Sequence, residues 1–522
     1  MRVFLMEMMP NFWEGIVRTL EQEHGWDIAY WTFGRAGQPA IRERFPNTVV
    51  HNAAKALRGV GATGLPEMEA IPLETSILNE YADVESEFLK MCDRYDVLET
   101  FGYPDRVRLF HQLLRYWLEV VNHFKPELVL FDTIPHMGYD YILYQICQKQ
   151  GVKTAFWGRV AIPGYIYLME SYGSGFEFLK EEYTRRLEAG DDFKVQYTPD
   201  VEEYFSKITG SASSVHEVHY QKKIGGKLAS AHTSLSKKAR ERFDDFLYYF
   251  KRLTNGVPPS NMKKIGKPFE KSFFGLFGYY TYRDLSTLRR MWVRRHYDSL
   301  ATKPEHDKPY VFFALSYQPE MNTSPCAGQW VHSQLMVEAI SKALPEGWLL
   351  YVKEHPVVLN GAKPFFRSRS CTFYDDIAKV DNVRIMPLEL SSTELIDGAQ
   401  AVATATGTAG WEAVVRGKQT MIFGHCWYRF CEGVHRVDSY EECVDFFKKL
   451  DEMGTVELEK VKKYFQTVVD VSYRGYFDRI FARMVDIPQE DNARLLVQAL
   501  ADYAEHGDTC EMQRVRRLGD EG

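Results

Sequence analysis

Residues 401–424 read AVATATGTAGWEAVVRGKQTMIFG, and the alternation inside them decides the fold. AVAT is a short apolar run with the length of a strand, TAGWEAVV has the pattern of a helix, Gly417 punctuates its end, and QTMIF returns to strand character. Strand, helix and strand with a glycine at the helix end make a βαβ unit, in which the two strands lie parallel.

The same alternation extends outward. Upstream come YVFFALSY (310–317), a helix from about Val331 to Ala343, GWLLYVKEHP (347–356), NVRIMP (382–387) and the helix SSTELIDG (391–398). The first 160 residues repeat the grammar with RVFLMEM (2–8), a helix through Gly25, DIAYWTFG (27–34), a more polar helical stretch from about Glu67 to Phe124, ELVLFD (127–132), a helix to Gly151 and VKTAFWG (152–158). The fold class expected is α/β, with two Rossmann-like doubly wound domains facing each other across a cleft. The boundaries are 1–170 for the N-terminal, acceptor-side domain, 171–306 for a basic helical insertion or linker, 307–480 for the C-terminal, donor-binding domain, and 481–522 for a C-terminal helix and polar tail.

Length agrees with this division, because 522 residues exceed what one core can organise. The N-terminus reads as a first strand and not as a signal peptide, since Pro10, Asn11 and Glu14 interrupt its apolar run. No apolar stretch of 18 residues is present, so no membrane span is expected. Eight thinly spread cysteines look like reduced cytoplasmic usage. His425, Cys426, Cys431 and His435 fit no standard zinc spacing and are read as packing. Charge is unevenly placed: residues 221–309 hold 20 Lys or Arg against 8 Asp or Glu, in a chain of net charge −7. An anionic partner for this island competes with a plain solvated helical surface. Nucleic acid is not expected at a pI near 6.1 without a recognition motif.

Ligands of open α/β sheets bind beyond the carboxyl ends of the strands, so the residues there are the candidates. In TATGTAGWEA (404–413), Gly407 lets the backbone approach a ligand, Thr406 and Thr408 offer hydroxyls, and a helix start adds free N–H groups, which together make an anion cradle. Glu412, one turn inside that helix, is placed to accept from ribose hydroxyls. A tight turn capped by Thr408 is the structural alternative. In KEHP (353–356), Pro356 stops the strand and presents Lys353 and His355 at the edge of the sheet, where both can meet a nucleotide phosphate. SYQPEMNTSP (316–325) follows the first strand of its domain and supplies Gln318 on the donor side and Glu320 as a catalytic carboxylate, Glu320 having a solvated loop glutamate as its alternative. FDTIPHMGY (131–139) supplies Asp132 and His136 as further catalytic candidates, Asp132 having turn capping as its alternative; WGRVAIPGY (157–165) supplies Arg159 for the acceptor. Tyr428, just past the last strand, is a candidate to pack on a base or sugar, or else a core residue.

Taken in order, ALSYQPEMNTSP, LPEGWLLYVKEHP and TATGTAGWEAVVRGKQTMIFGHCWY resemble the capsule polysaccharide biosynthesis family, which includes bacterial Kdo transferases that use a CMP-activated sugar. The His-Pro pair and the Thr/Gly cradle also resemble motifs of CMP-sialic acid transferases of the GT-B type. The resemblance covers about Lys308 to Arg436 and, more loosely, FKPELVLFDTIPH to KTAFWG. It implies a GT-B glycosyltransferase moving Kdo or another nonulosonic acid from a CMP donor to a capsule, surface-glycan or lipid-linked acceptor. His355 and Thr406 to Thr408 would then contact the phosphate, Glu412 the ribose, and Glu320 would lead catalysis. Such an enzyme needs neither metal nor cofactor, the nucleotide sugar being its substrate. It would sit in the cytoplasm with a peripheral inner-membrane contact through 221–309, where LRRMWVRRHY (288–297) interleaves cations with Trp292. One departure is visible: in place of an acidic pair before glycine, the chain has only Asp397-Gly398. The alternatives are a CDP-glycerol glycerophosphotransferase or a UDP-sugar epimerase of the same fold, and a non-catalytic glycan-binding or export subunit.

Overall fold

The computed structural model describes residues 1–522 except 35–37, 95–100, 174, 176, 211–287, 306, 319, 361–368, 480, 507–508 and 510–522. The described residues form two sheets. The first has the order β13-β6-β5-β4-β1-β2-β3, built from β1 (Arg2–Met6), β2 (Asp27–Phe33), β3 (Val49–Asn52), β4 (Leu128–Phe131), β5 (Lys153–Arg159), β6 (Tyr165–Met169) and β13 (Tyr473–Arg474). The second has the order β12-β11-β10-β7-β8-β9, built from β7 (Tyr310–Ala314), β8 (Leu349–Lys353), β9 (Val383–Ile385), β10 (Ala401–Thr404), β11 (Gln419–Ile422) and β12 (Val434–Arg436). Every pairing in the second sheet is parallel.

Central strands such as LVLF of β4 and LLYVK of β8 are buried along their whole length. Helices covering both faces explain why these strands read as continuous apolar runs without alternation. Both sheets are doubly wound. In the first, the chain moves outward through β1, β2 and β3 and then returns to the opposite flank of β1 with β4; in the second, β7, β8 and β9 are followed by β10 on the other flank of β7. The strand order therefore reverses between β1 and β4 and again between β7 and β10, and a crevice for ligands opens at such reversals.

Three features differ from the sequence reading. The first sheet ends in an antiparallel addition, in which β6 pairs with β5 and Tyr473 of β13 pairs with Ile166. A strand of the first sheet thus comes from a stretch expected in the second domain, and the helix Gln489–His506 continues the return by packing on the helix Pro10–His24. The helices Glu177–Glu188 and Pro199–Thr209, expected in a separate insertion, dock on the second half through Tyr183 and Tyr197, whose hydroxyls donate to the carbonyls of Lys460 and Lys462 at 3.2 and 3.0 Å. Trp411, 1% exposed, packs there with Trp427 and Phe465 at 4.8 and 5.3 Å between ring centres. Burying one such side chain contributes about 1.5–3 kcal/mol. Most of the basic island, residues 221–287, lies outside the described residues. Its described end is a helix over 288–300, fixed by the Tyr297 hydroxyl donating to Met386 O at 2.5 Å, with Leu288, Met291 and Trp292 exposed.

Candidate functional site

The anion-cradle candidate sits at the reversal point of the second sheet. Thr404 ends β10, and the helix Thr408–Val415 starts four residues later. The Gly407 N–H donates to Thr404 Oγ1 at 3.3 Å. A side chain at residue 407 would bring its Cβ within 2.8 Å of that same oxygen, so a larger residue would displace the Thr404 hydroxyl that holds the turn. The Thr406 hydroxyl donates to the Asn322 carbonyl, tying the cradle to the loop after β7. Thr408 is exposed at the helix start, where N–H groups of the first turn have no helical acceptor. Glu412 is buried beneath it and hydrogen-bonded to Thr408; burial raises its pKa to about 7, against the opposing pull of Arg416 and that hydrogen bond.

Ala314 of β7 pairs with Thr404 on one side and with Lys353 on the other. The cradle and the Lys353–Pro356 turn therefore leave the sheet at the same level, two strand spacings or ~10 Å apart. His355 is partly buried, and its Nδ1 accepts from the Val357 N–H at 3.3 Å, which leaves Nε2 carrying the proton. Burial depresses its pKa to about 4, so at neutral pH it is an uncharged donor. Pro356 opens the short helix Pro356–Asn360.

Several expected ligands belong instead to the frame. Lys353 is not presented at a sheet edge: β8 lies between β7 and β9, and the residue is 5% exposed, its ammonium donating to Ser392 Oγ at 3.0 Å. Its pKa falls to about 8 because burial penalises the charge more than Glu389 supports it. Tyr428 is core, its hydroxyl donating to Gly407 O at 2.5 Å, so it braces the cradle and packs on no base. Gln318 is buried, accepting from Arg369 Nη1 at 2.9 Å and donating to Val331 O. His425 and His435 have protein partners, Arg429 and Gln419.

Glu354 and Arg369 were not singled out in the sequence. Arg369 donates to Glu354, to Gln318 and, at 3.2 Å, to Ser316 O, while Glu354 accepts from Tyr374 Oη at 2.8 Å and from the His355 N–H at 2.8 Å. One guanidinium thus joins the loops after β7 and β8. The Glu in KEHP was the available signal; Arg369 follows the mixed stretch GAKPFFRS and had none.

At the reversal point of the first sheet, Asp132 follows β4, with its N–H donating to Met6 O at 3.0 Å. Its carboxyl is driven up to about 8, first by burial, then by Asp478 and Glu7, against a hydrogen bond from Trp13 and the charge of Arg159. It does not cap the following turn, because Asp140 does so, accepting from the N–H groups of His136, Met137 and Tyr141 at 3.1, 2.6 and 2.7 Å. The His136 Nδ1 bonds to Ile134 O at 2.7 Å, and burial with nearby Arg94 lowers its pKa to about 3, which makes it a poor base at neutral pH. Arg159 lies over the Phe481 ring at 3.8 Å and faces Asp132. Glu7, at the end of β1, was missed; an acid directly after four apolar residues was the signal.

The two reversal points touch. Thr133, next to Asp132, donates to Met321 Sδ at 3.7 Å; Met321 follows Glu320, and the neighbouring Asn322 holds Thr406. Arg94 joins the carbonyls of His136 and Ser324 across the same boundary. The loops that carry Asp132 and Glu320 and the Thr406–Thr408 turn therefore meet, with His355 one loop further along the second sheet. Such a constellation can hold a phosphate on neutral donors while a carboxylate on the facing half takes a proton.

Residues 285–443 match the family model described as capsule polysaccharide biosynthesis protein. The resemblance read from the three strand-end motifs is borne out over that stretch. No curated protein matches the chain. Among solved structures it is similar to the Thermosulfurimonas dismutans KpsC beta Kdo 2,4 transferase, at 12% identity over 66% of this chain and 79% of that one, with a TM-score of 0.28. The beta Kdo 2,7 transferase of the same KpsC gives 10% identity, 73% and 88% coverage and a TM-score of 0.30. A UDP-GlcNAc 2-epimerase from Methanocaldococcus jannaschii gives 11%, 90% and 99%, with a TM-score of 0.24.

Proposed function

We propose that the protein is a glycosyltransferase that takes a sugar, Kdo or another nonulosonic acid, from a CMP donor and passes it to a surface-glycan or lipid-linked acceptor. The observation that carries this reading is the shared level of the Lys353–Pro356 turn and the Thr404–Thr408 cradle on either side of β7. In this reading a neutral imidazole donor and a helix start share one crevice, a combination suited to a single phosphate. The match of residues 285–443 to a capsule biosynthesis family supports the same substrate class. In this reading His355, Pro356, Thr406, Gly407 and Thr408 bind the donor phosphate, Glu412 binds the ribose, and Asp132 and Glu320 are the carboxylates that face the reacting centre. Arg159 lines the acceptor side. The nucleotide sugar enters as substrate, with no metal or cofactor required.

A cytoplasmic location with peripheral membrane contact is part of the proposal. Among the described residues no helix is long and apolar enough to cross a membrane. Exposed Leu288, Met291 and Trp292 beside Arg289, Arg290 and Arg295 suit an interfacial contact with an anionic surface.

The test is a thermal-shift screen with CMP, CDP and UDP, followed by mass-spectrometric detection of nucleotide release from a panel of activated sugars. CMP should raise the melting temperature in the wild type, and His355→Ala or Thr406→Val should reduce that rise. Release of UDP from UDP-HexNAc, or turnover of CDP-glycerol in place of a CMP sugar, would overturn the donor assignment. No stabilisation by any of these nucleotides would remove the transferase reading.

A further inference from the structure

An open groove of about 660 Å³ runs along the helix Tyr103–Phe124 on the first half of the molecule. Tyr103, Val107, His111 and Arg115 line it at four-residue intervals, with Arg108 and Gln112 beside them. Residues so spaced share one face of a helix, and at the helical rise that face covers about 18 Å from Tyr103 to Arg115. A hollow of this volume is within the range that holds small ligands.

The two ends of the helix fix its direction. Arg2, the first residue of β1, donates to the Phe124 carbonyl at 3.0 Å, which sets the last turn at the amino ends of the strands. The chain then enters β4 at Leu128, so the helix runs antiparallel to the strands and its first turn points toward their carboxyl ends. With 22 residues it is about 33 Å long, whereas the longest strands of this sheet, at seven residues, reach about 23 Å. The Tyr103 end therefore projects past the sheet, at the level where the crevice opens. Arg106 anchors that end by donating to Phe101 O at 2.9 Å and to Asp93 Oδ1 at 2.8 Å, and Arg94 reaches from there to the carbonyls of His136 and Ser324.

The character of the groove changes along its length. At the crevice end Tyr103 is 69% exposed, beside Pro104 and Val107. Beyond them stand the cations. His111 and Arg115 have no acidic partner among the described residues, and Arg108 has an exposed contact with Asp105 at 3.4 Å, of a kind that contributes little. Glu119, one turn past Arg115, is held by the Ile71 N–H at 3.0 Å. Gln112 donates to Gly59 O at 2.7 Å and so brings the next residue, the exposed Val60, to the far end of the groove. An aromatic face followed by guanidiniums that no carboxylate neutralises is complementary to a chain of sugar rings bearing carboxylates.

We propose that this groove binds an acidic oligosaccharide, with a sugar ring on Tyr103 and carboxylates paired to Arg108 and Arg115; on the transferase reading, on which this identity rests, the oligosaccharide is the acceptor chain whose end lies in the crevice. The groove then sets preference for the acceptor at a distance from the reacting atoms, because a longer acidic chain gains contacts that a single sugar lacks.

The experiment needs no turnover. Isothermal titration of the full chain compares a linear sialic acid tetramer, which carries a carboxylate on every ring, with maltotetraose, which has the same number of rings and no charge. The tetramer should bind, less tightly as salt rises, and maltotetraose should bind at least about tenfold more weakly. Arg108→Glu and Arg115→Glu should each weaken tetramer binding about tenfold, and Tyr103→Ala about fivefold, while melting temperature and the CMP shift stay as in the wild type. Should a charge reversal lower the melting temperature, Arg108→Gln and Arg115→Gln take its place with a loss in the same direction. Absence of tetramer binding, equal binding of maltotetraose, or unchanged binding in these variants would overturn the proposal. Binding to phosphatidylglycerol vesicles that the same variants abolish, without tetramer binding, would overturn it as well and make the groove a membrane contact. Tetramer binding that the variants weaken, with no nucleotide release from any activated sugar, would keep the groove and defeat the transferase reading. CMP protection and nucleotide release without tetramer binding would do the reverse.

Discussion

Arg369 and Glu354 form an ion pair in which both side chains are almost completely removed from water, at 1% and 0% exposure. The pair is closed by Tyr374, Gln318 and the Ser316 carbonyl, so its polar atoms have partners on both loops. A buried pair of this kind is a weak source of net stability but is costly to break from one side. Arg369→Met should destabilise the protein by about 3–5 kcal/mol, and Glu354→Gln added to it should recover part of that loss. Chemical denaturation of the two single variants and the double variant checks this. Equal losses in the single and the double variants would mean that the pair does not organise these loops.

Gly424 follows β11, and a Cβ there would stand 2.5 Å from the Cys326 carbonyl, 2.6 Å from Thr406 Cγ2 and 2.8 Å from Ala327 Cα. Two of the three neighbours are backbone, so the loop carrying Met321 and Ser324 would have to shift. Gly424→Ala should cost about 1–3 kcal/mol, the usual range for overpacking, and should weaken CMP protection beyond that loss because the shift separates Asn322 from Thr406. A melting curve with and without CMP separates the two effects. An unaltered CMP shift would dissociate this loop from the donor site.

The positions of strand ends were legible in the sequence because parallel strands covered on both faces announce themselves as apolar runs cut by polar residues. That is why His355, Thr406 and Asp132 were singled out and do lie beyond carboxyl ends of strands. What a strand-end residue does with its side chain was not legible, since it depends on which strand becomes the neighbour. Lys353 looked available until β9 took the outer position in its sheet, and Tyr428 looked available until its hydroxyl found Gly407 O. Glu7 was overlooked because nothing in RVFLMEM shows that β4, arriving more than a hundred residues later, will pair with β1. Likewise the return of Tyr473–Arg474 to the first sheet is a pairing of only two residues, too short to leave a pattern.

The buried chain around His51 gives a prediction about acid. His51 Nε2 donates to Val60 O at 2.8 Å, its Nδ1 accepts from Tyr30 Oη at 2.7 Å, Tyr30 accepts from Tyr116 Oη at 2.6 Å, and Tyr116 accepts from the Ala62 N–H at 3.1 Å. Each hydroxyl in this order donates once, so the neutral imidazole completes the chain. Burial, with a smaller part from Lys55, lowers the pKa of His51 to about 4. The unfolded histidine binds its proton near its ordinary value of about 6.5, so the stability from this group is present above that pH and is lost as pH falls toward 4. His51→Gln should therefore lower the melting temperature at pH 7.5 and make it fall less steeply between pH 6.5 and pH 4.5. A fall as steep as that of the wild type would place the acid sensitivity elsewhere, with His136 and His355 the next groups to replace.

Donor binding should depend on pH through Glu412. Its carboxyl is buried under the exposed Thr408, and burial holds its pKa near 7 despite Arg416 and the Thr408 hydrogen bond. A ribose hydroxyl donates well to a carboxylate and poorly to a protonated acid, which has a donor of its own to satisfy. CMP affinity in the wild type should then strengthen as pH rises from 6 to 8, the range over which this group ionises. Phosphate ionisation follows a similar range, so the comparison needs a variant. Glu412→Gln keeps the shape, presents a neutral acceptor at every pH, and should bind CMP about tenfold more weakly at pH 8, within the range for a hydrogen bond to a charged group. At pH 6 the gap should narrow, because the wild-type carboxyl is then mostly protonated. Isothermal titration with CMP at both values decides the matter. A gap of the same size at pH 6 and pH 8 would assign the pH dependence to the phosphate alone and would leave Glu412 as a brace for Thr408.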